Sequence, residues 1–103
     1  MEKRSYAIKM QTPLGVKCGT LEVNPEGNKI SGFLDILNHS EPFCGHMDEY
    51  GRCSFTGRII TLMHTLEYRA SGTMDEKQIL LEIRSERYVF QVTGSVCQEK
   101  NEK

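Results

Sequence analysis

The sequence predicts an all-β domain of about eight antiparallel strands in an up-and-down meander, closed or nearly closed into a barrel, with a β-sandwich as the alternative. Three observations predict it. Apolar residues recur at every second position of short segments; reversals built on Gly, Pro, Asn and Asp return about every ten residues; and the nine glycines are spread along the chain rather than gathered in one place. Closure is favoured because it removes the unpaired strand edges that invite aggregation. Greek-key order is a second alternative to the meander.

The first strand is expected over 5–11, where Tyr6, Ile8 and Met10 alternate with Ala7, Lys9 and Gln11. Thr12-Pro13-Leu14-Gly15 reads as a turn, since proline pre-sets φ at the second position. A second strand over 16–23 puts Leu21 and Val23 on one face and Val16, Cys18 and Thr20 on the other, and Asn24-Pro25-Glu26-Gly27-Asn28 is expected to end it. The third, over 29–37, aligns Ile30, Leu34 and Ile36, with Gly32 suggesting a bend or bulge. Asn38-His39-Ser40-Glu41-Pro42 reads as the longest polar connection.

Strands over 43–47 and 52–61 form the next pair, joined by Asp48-Glu49-Tyr50-Gly51, with Cys53, Phe55, Gly57 and Ile59 sharing a face. A turn near Leu62-Met63 precedes a strand over 64–73, where Leu66, Tyr68 and Ala70 alternate, and Met74-Asp75-Glu76-Lys77 closes it. The strand over 78–84 follows with Ile79, Leu81 and Ile83, and after Ser85-Glu86 a last strand over 87–96 lines up Tyr88, Phe90, Val92 and Val96. A helix over 74–87 is the competing reading, because Asp75 could cap a run of good helix formers. The β-branched and aromatic run Tyr88-Val89-Phe90-Gln91-Val92-Thr93 favours a hairpin instead.

Residues 1–103 read as a single domain, without a low-complexity linker, and a chain of this length buries roughly two-thirds of its unfolded surface. The tail over 98–103 has no apolar residue and is expected to fray. Gly27 with Gly32 is echoed by Gly51 with Gly57, a pattern that fits recurrent hairpin construction better than an inherited repeat.

Thirteen Lys and Arg against fourteen Asp and Glu give a net charge of −1, which argues against a nucleic-acid partner. No stretch approaches the ~18 apolar residues that cross a bilayer, and Met1-Glu2-Lys3-Arg4 is not followed by an apolar signal segment. A cytoplasmic protein is expected, with no membrane partner and with Cys18, Cys44, Cys53 and Cys97 as reduced thiols.

The phrases Thr12-Pro13-Leu14-Gly15, Gly19-Thr20-Leu21, Gly27-x-x-x-Ser31-Gly32 and Gly45-x-x-x-x-x-Gly51-x-x-x-Phe55-x-Gly57 resemble a type of small bacterial β-barrel domain without an assigned activity. The resemblance implies a closed or nearly closed meander and no catalytic residue. The chain departs from it at Thr61-Leu62-Met63-His64, where a second Thr-Pro-x-Gly turn would be expected.

Candidate chemistry is sparse. His39, Cys44, His46 and Cys53 are zinc-ligand types within fifteen residues of sequence, but the short C-x-x-C spacing that aims two sulfurs at one metal is missing. A Cys44 nucleophile with His46 or His64 as base has no motif around it, the carboxylates fall mainly at turns or outward positions, and no glycine-rich phosphate cradle or cofactor motif occurs. No cofactor is expected. Asp35 stands in the apolar run Leu34-Asp35-Ile36-Leu37; alternation puts it on the second face with Phe33, and were that face the barrel interior it would be a polar handle for a ligand.

Two functions are carried forward. One is a non-catalytic barrel holding a small, partly apolar ligand, with Asp35, Phe55 and Tyr68 as wall residues and Gly32, Gly57, Ala70, Gly72 and Gly94 leaving interior space. The other is a structural or interaction module, with a homodimer as one form of it, pairing through an exposed face or edge marked by Phe33, Leu37 and Leu80. An enzyme ranks third.

Overall fold

The computed structural model describes residues 3–61 and 63–97, so the tail over 98–103 and Leu62 lie outside the described residues. Eight strands follow one another: β1 (Arg4–Thr12), β2 (Gly15–Glu26), β3 (Lys29–Ile36), β4 (His39–Met47), β5 (Arg52–Ile60), β6 (Thr65–Met74), β7 (Gln78–Ser85) and β8 (Val89–Val96). Each pairs antiparallel with the next, and β8 returns to β1 through Tyr6↔Val96, Ile8↔Gly94 and Met10↔Val92, which closes an up-and-down barrel. The sandwich and Greek-key alternatives are thereby excluded. So is the helix over 74–87, because Ile79, Leu81 and Ile83 bury with a period of two.

The period-two residues form the filling. Tyr6, Ile8, Met10, Leu21, Val23, Ile30, Leu34, Ile36, Phe43, Phe55, Ile59, Tyr68, Ala70, Ile79, Leu81, Ile83, Phe90 and Val92 belong to one buried cluster, with no charged residue among them. Apolar transfer at roughly 25 cal/mol per Å² makes this layer the main source of stability. Outward positions on the same strands, such as Lys9, Glu22, Arg58, Arg69 and Gln91, meet solvent or lie at the wall's surface.

Several expected boundaries move for physical reasons. Asn24-Pro25-Glu26 continues β2, and His39 to Pro42 belongs to β4 rather than to a long connection. Both prolines lie where a strand has only one paired neighbour: β1–β2 pairing stops at Val23, and β4–β5 pairing starts at Phe43. A missing N–H costs no ladder bond on the unpaired side. The β3–β4 reversal is only Leu37-Asn38, both with positive φ (55° and 67°), the signature of a tight two-residue hairpin. At Gly32 the register with β2 and β4 is unbroken, so there is no bulge. The glycine instead allows the Glu22 carbonyl and the Phe43 ring to approach where a Cβ would sit.

The turns sort by chemistry according to the end they occupy. Thr12, Thr61 and Ser85 open three connections at one end, each hydroxyl accepting from a backbone N–H two or three residues on. Thr61 therefore builds the Thr12 type of turn without its proline and glycine, and the β5–β6 register is regular through Ile60↔Thr65. At the opposite end Asp48 and Asp75 cap the β4–β5 and β6–β7 turns through backbone N–H groups of Tyr50, Arg52, Lys77 and Gln78. Arg4 and Val96, where the barrel's first and last strands begin and end, lie at this Asp-capped end.

Candidate functional site

Inside the barrel the aromatic residues form a chain. Phe43 and Phe55 have ring centroids 4.4 Å apart, and Tyr68 meets Phe55 edge-on at 6.2 Å. Such tilted and edge-to-face pairs are the favoured aromatic geometries. The Tyr68 phenol lies over Gly57, its partner on β5, with the oxygen 2.7 Å from where a Cβ would stand. Burial pushes the Tyr68 phenol well above its ordinary value, and among the described residues its hydroxyl has no hydrogen-bond partner.

Tyr6 is the contrasting case. It is equally enclosed, but its hydroxyl donates to the Asp75 carbonyl at 2.5 Å and accepts from the Arg4 guanidinium at 3.3 Å. Desolvation raises its pKa while Arg4 opposes the rise. One tyrosine thus ties β1 to the β6–β7 turn; the other carries an unpaid polar group.

The small residues expected to leave interior room do not. Phe43 crowds Gly32, Tyr68 covers Gly57, the Leu80 carbonyl and Leu81 approach Gly72, and methyl groups of Ile8 and Ile79 close on Gly94. Ala70 has no exposed surface. The depressions lined by Pro42 and Arg84, by Thr20 and Asp35, by Asn24 and Arg69, and by Gly27 and Asp75 lie on the outer wall or at the ends and open to solvent.

Of the three residues named as ligand-wall candidates, Phe55 and Tyr68 come together in the interior. Asp35 does not join them: it sits exposed on the outer face of β3, between Thr20 and Ser40 of the neighbouring strands, because alternation continues unbroken through Leu34 and Ile36. There it borders a shallow depression with Glu22 and a half-exposed Phe33.

The four zinc-type residues are likewise separated. Cys44 and His46 are exposed on the outer face of β4, His39 is exposed at its start, and Cys53 is buried inside, where desolvation lifts its thiol from the ordinary 9.0 to about 11. Among the described residues no three His, Cys, Asp or Glu side chains gather as a metal site. The ion pairs Arg52–Asp48 (2.8 Å), Arg58–Glu41 (3.1 Å) and Arg84–Glu82 lie at the surface.

Sequence reasoning did not anticipate how unevenly the exposed apolar residues divide. Phe33 and Leu80 stand on walls four strands apart, while Leu14, Val16, Met63, Tyr88 and Val89 lie in or beside the turns of the Thr/Ser-capped end. Leu37, half-buried, packs on the core from the fourth turn there. Among the described residues the Asp-capped end exposes Tyr50, its ring 5.7 Å from the Arg52 guanidinium. The signal was present as the apolar third position shared by Thr12-Pro13-Leu14 and Thr61-Leu62-Met63.

The geometry defines a small eight-stranded antiparallel β-barrel domain. No family model and no curated protein matches the chain. Among solved structures it is similar to a redesigned beta barrel at 10% identity and a TM-score of 0.59, over 93% of this chain and 90% of that one. At that identity the likeness shows the fold alone.

Proposed function

We propose that this chain is a non-catalytic recognition module of the bacterial cytoplasm that meets its partner on the outside of the barrel rather than within it. The observation that carries the reading is the filled interior: the glycines that could have left room are each covered by a neighbouring side chain or carbonyl, and Ala70 has no exposed surface. Eight strands suffice for side chains to fill such a barrel. Closure pairs every strand with both neighbours over most of its length, which turns recognition towards the wall and the ends. Three exposed thiols, Cys18, Cys44 and Cys97, suit a reducing compartment, and the sequence resemblance supports a bacterial source. Charged and polar side chains on the outward positions do not make the apolar outer band of a membrane-spanning barrel, and arginines interleaved with carboxylates do not make a nucleic-acid groove.

A second reading keeps a small, partly apolar ligand but moves it outside, to the depression where Phe33 offers a half-exposed ring beside Asp35 and Ser40. A native mass spectrum of protein purified without added ligand tests both. The proposal expects subunits of the bare chain mass; a metabolite that stays bound until the barrel unfolds would overturn external recognition.

A further inference from the structure

Resting on external recognition, we infer that the depression at Phe33, on the outer wall of β2, β3 and β4, is a site for a guanidinium group that stacks on the Phe33 ring and is held by the Glu22 and Asp35 carboxylates. Register builds the site. Phe33 stands between Glu22 on β2 and Pro42 on β4, and Asp35, the next outward residue of β3, stands between Thr20 and Ser40. Residues directly opposite each other have Cβ atoms about 5 Å apart, and outward residues along one strand repeat at roughly 7 Å. Both carboxylates therefore border the ring, and Thr20, Glu22, Phe33, Asp35 and Ser40 line one depression.

Its charge is one-sided. The other carboxylates carried by described strands each have a basic partner: Glu26 faces Lys29 and Glu67 faces Arg58 across the ladder, while Glu41 and Glu82 pair with Arg58 and Arg84. Glu22 instead faces Ser5 and Phe33, Asp35 faces Thr20 and Ser40, and among the described residues neither makes an ion pair. Lys3 borders the other flank of the ring with Glu22 and Pro42, and is the one basic residue among the described residues of the two depressions that flank Phe33.

The same chemistry is satisfied internally elsewhere in the molecule. At the β4–β5 turn the Arg52 guanidinium lies 5.7 Å from the centroid of the Tyr50 ring and donates to the Asp48 carboxylate at 2.8 Å. Tyr88, the remaining exposed aromatic residue, stacks on Phe90. Phe33 is 47% exposed and has carboxylates beside it as Tyr50 does, but among the described residues neither a guanidinium nor a second ring lies against it. A planar guanidinium suits this place better than an ammonium, because its face can stack on the ring while its edge donates to two carboxylates and to the Thr20 and Ser40 hydroxyls. The group can arrive on a small molecule or on an arginine side chain of a partner, and the same contacts read both.

Titration of the isotope-labelled full chain, followed by its amide and Phe33 ring resonances, tests the inference with methylguanidinium, a capped Gly-Arg-Gly peptide, and the same peptide with citrulline in place of arginine. Saturable shifts centred on Glu22, Phe33 and Asp35 are expected from the arginine peptide, with a roughly millimolar dissociation constant that fits an exposed site, and none from citrulline. Glu22→Gln/Asp35→Asn should weaken binding about tenfold or more, and Phe33→Leu about two- to fivefold. Glu49→Gln/Glu86→Gln removes the same charge elsewhere and should leave binding unchanged. Circular dichroism checks that each variant keeps the barrel. Saturable binding of methylguanidinium as well as the peptide assigns the site to free guanidinium compounds, and binding of the peptide alone assigns it to a partner's arginine; both support the inference. An equal response to citrulline, no saturable shift from either guanidinium probe, or indifference to the Glu22 and Asp35 changes would overturn it. That failure with a bare-mass native spectrum removes only the guanidinium, whereas a metabolite retained inside the barrel removes external recognition as well.

Discussion

Replacing Tyr68 by Phe should stabilise the protein, an unusual direction for a change at a core position. The Tyr68 side chain is 4% exposed, its ring packs against Phe55 and over Gly57, and its hydroxyl has no partner among the described residues. Phenylalanine keeps the ring and its contacts, so the cavity cost of a truncation does not arise. What disappears is a buried polar group without a hydrogen bond, a cost of about 1–3 kcal/mol in mutational data. For a domain of this size each kcal/mol moves the thermal midpoint by roughly 4–8 °C. Tyr6→Phe provides the opposite sign, since it removes the bond to the Asp75 carbonyl and should cost about 1 kcal/mol.

Calorimetry and urea titration with an unchanged m-value would read both variants. Alkaline pH gives an independent readout. Because the folded Tyr68 pKa is raised, its phenol ionises first in the unfolded chain, so stability falls as pH climbs above about 10. Tyr68→Phe should flatten that fall. A Tyr68→Phe protein that melts lower at neutral pH, with its alkaline limb unchanged, would refute the assignment of an unpartnered hydroxyl.

Cys53 should resist thiol reagents at neutral pH while Cys18, Cys44 and Cys97 react, and its raised pKa should erode stability between pH 9.0 and about 11, where the unfolded thiol has released its proton and the folded one has not. Rapid labelling of all four thiols under native conditions would contradict this. Asp75 is held below the usual carboxylate value by the backbone N–H groups of Lys77 and Gln78, so its contribution is present above the unfolded pKa and lost as pH falls through the folded one; Asp75→Asn should lessen the acid loss of stability seen by circular dichroism. Gly32→Ala should cost about 1–3 kcal/mol in urea unfolding, because the new methyl meets the Glu22 carbonyl and Phe43 ring, and a neutral result would show that β2 can yield there. Asn38→Gly should raise the melting temperature by relieving a left-handed backbone worth about 1 kcal/mol; a fall would mean the Asn38 side chain holds the turn.

Strand positions were legible because every strand has one face in the core and one at the surface, so period two survives along Tyr6-x-Ile8-x-Met10 and Ile79-x-Leu81-x-Ile83 alike. The places where reading failed depend on neighbours far away in sequence. Pro25 and Pro42 read as turn residues, and only the ends of β1–β2 and β4–β5 pairing show why a strand tolerates them. Closure itself rests on Ile8 meeting Gly94, a contact no local pattern encodes. Alternation already pointed Asp35 outward; the apolar run around it arises because Leu37 belongs to the turn and folds back onto the core. Small residues suggested space, yet the space at Gly57 belongs to Tyr68 on another strand.

The claim that recognition is external stands on a barrel with no room inside, and xenon probes that directly, since it enters dry apolar cavities. In a xenon titration followed by methyl resonances, the inward methyls of Ile8, Ile83 and Val92 should show no saturable shift. A saturable response from those interior methyls would reveal a cavity and contradict the account.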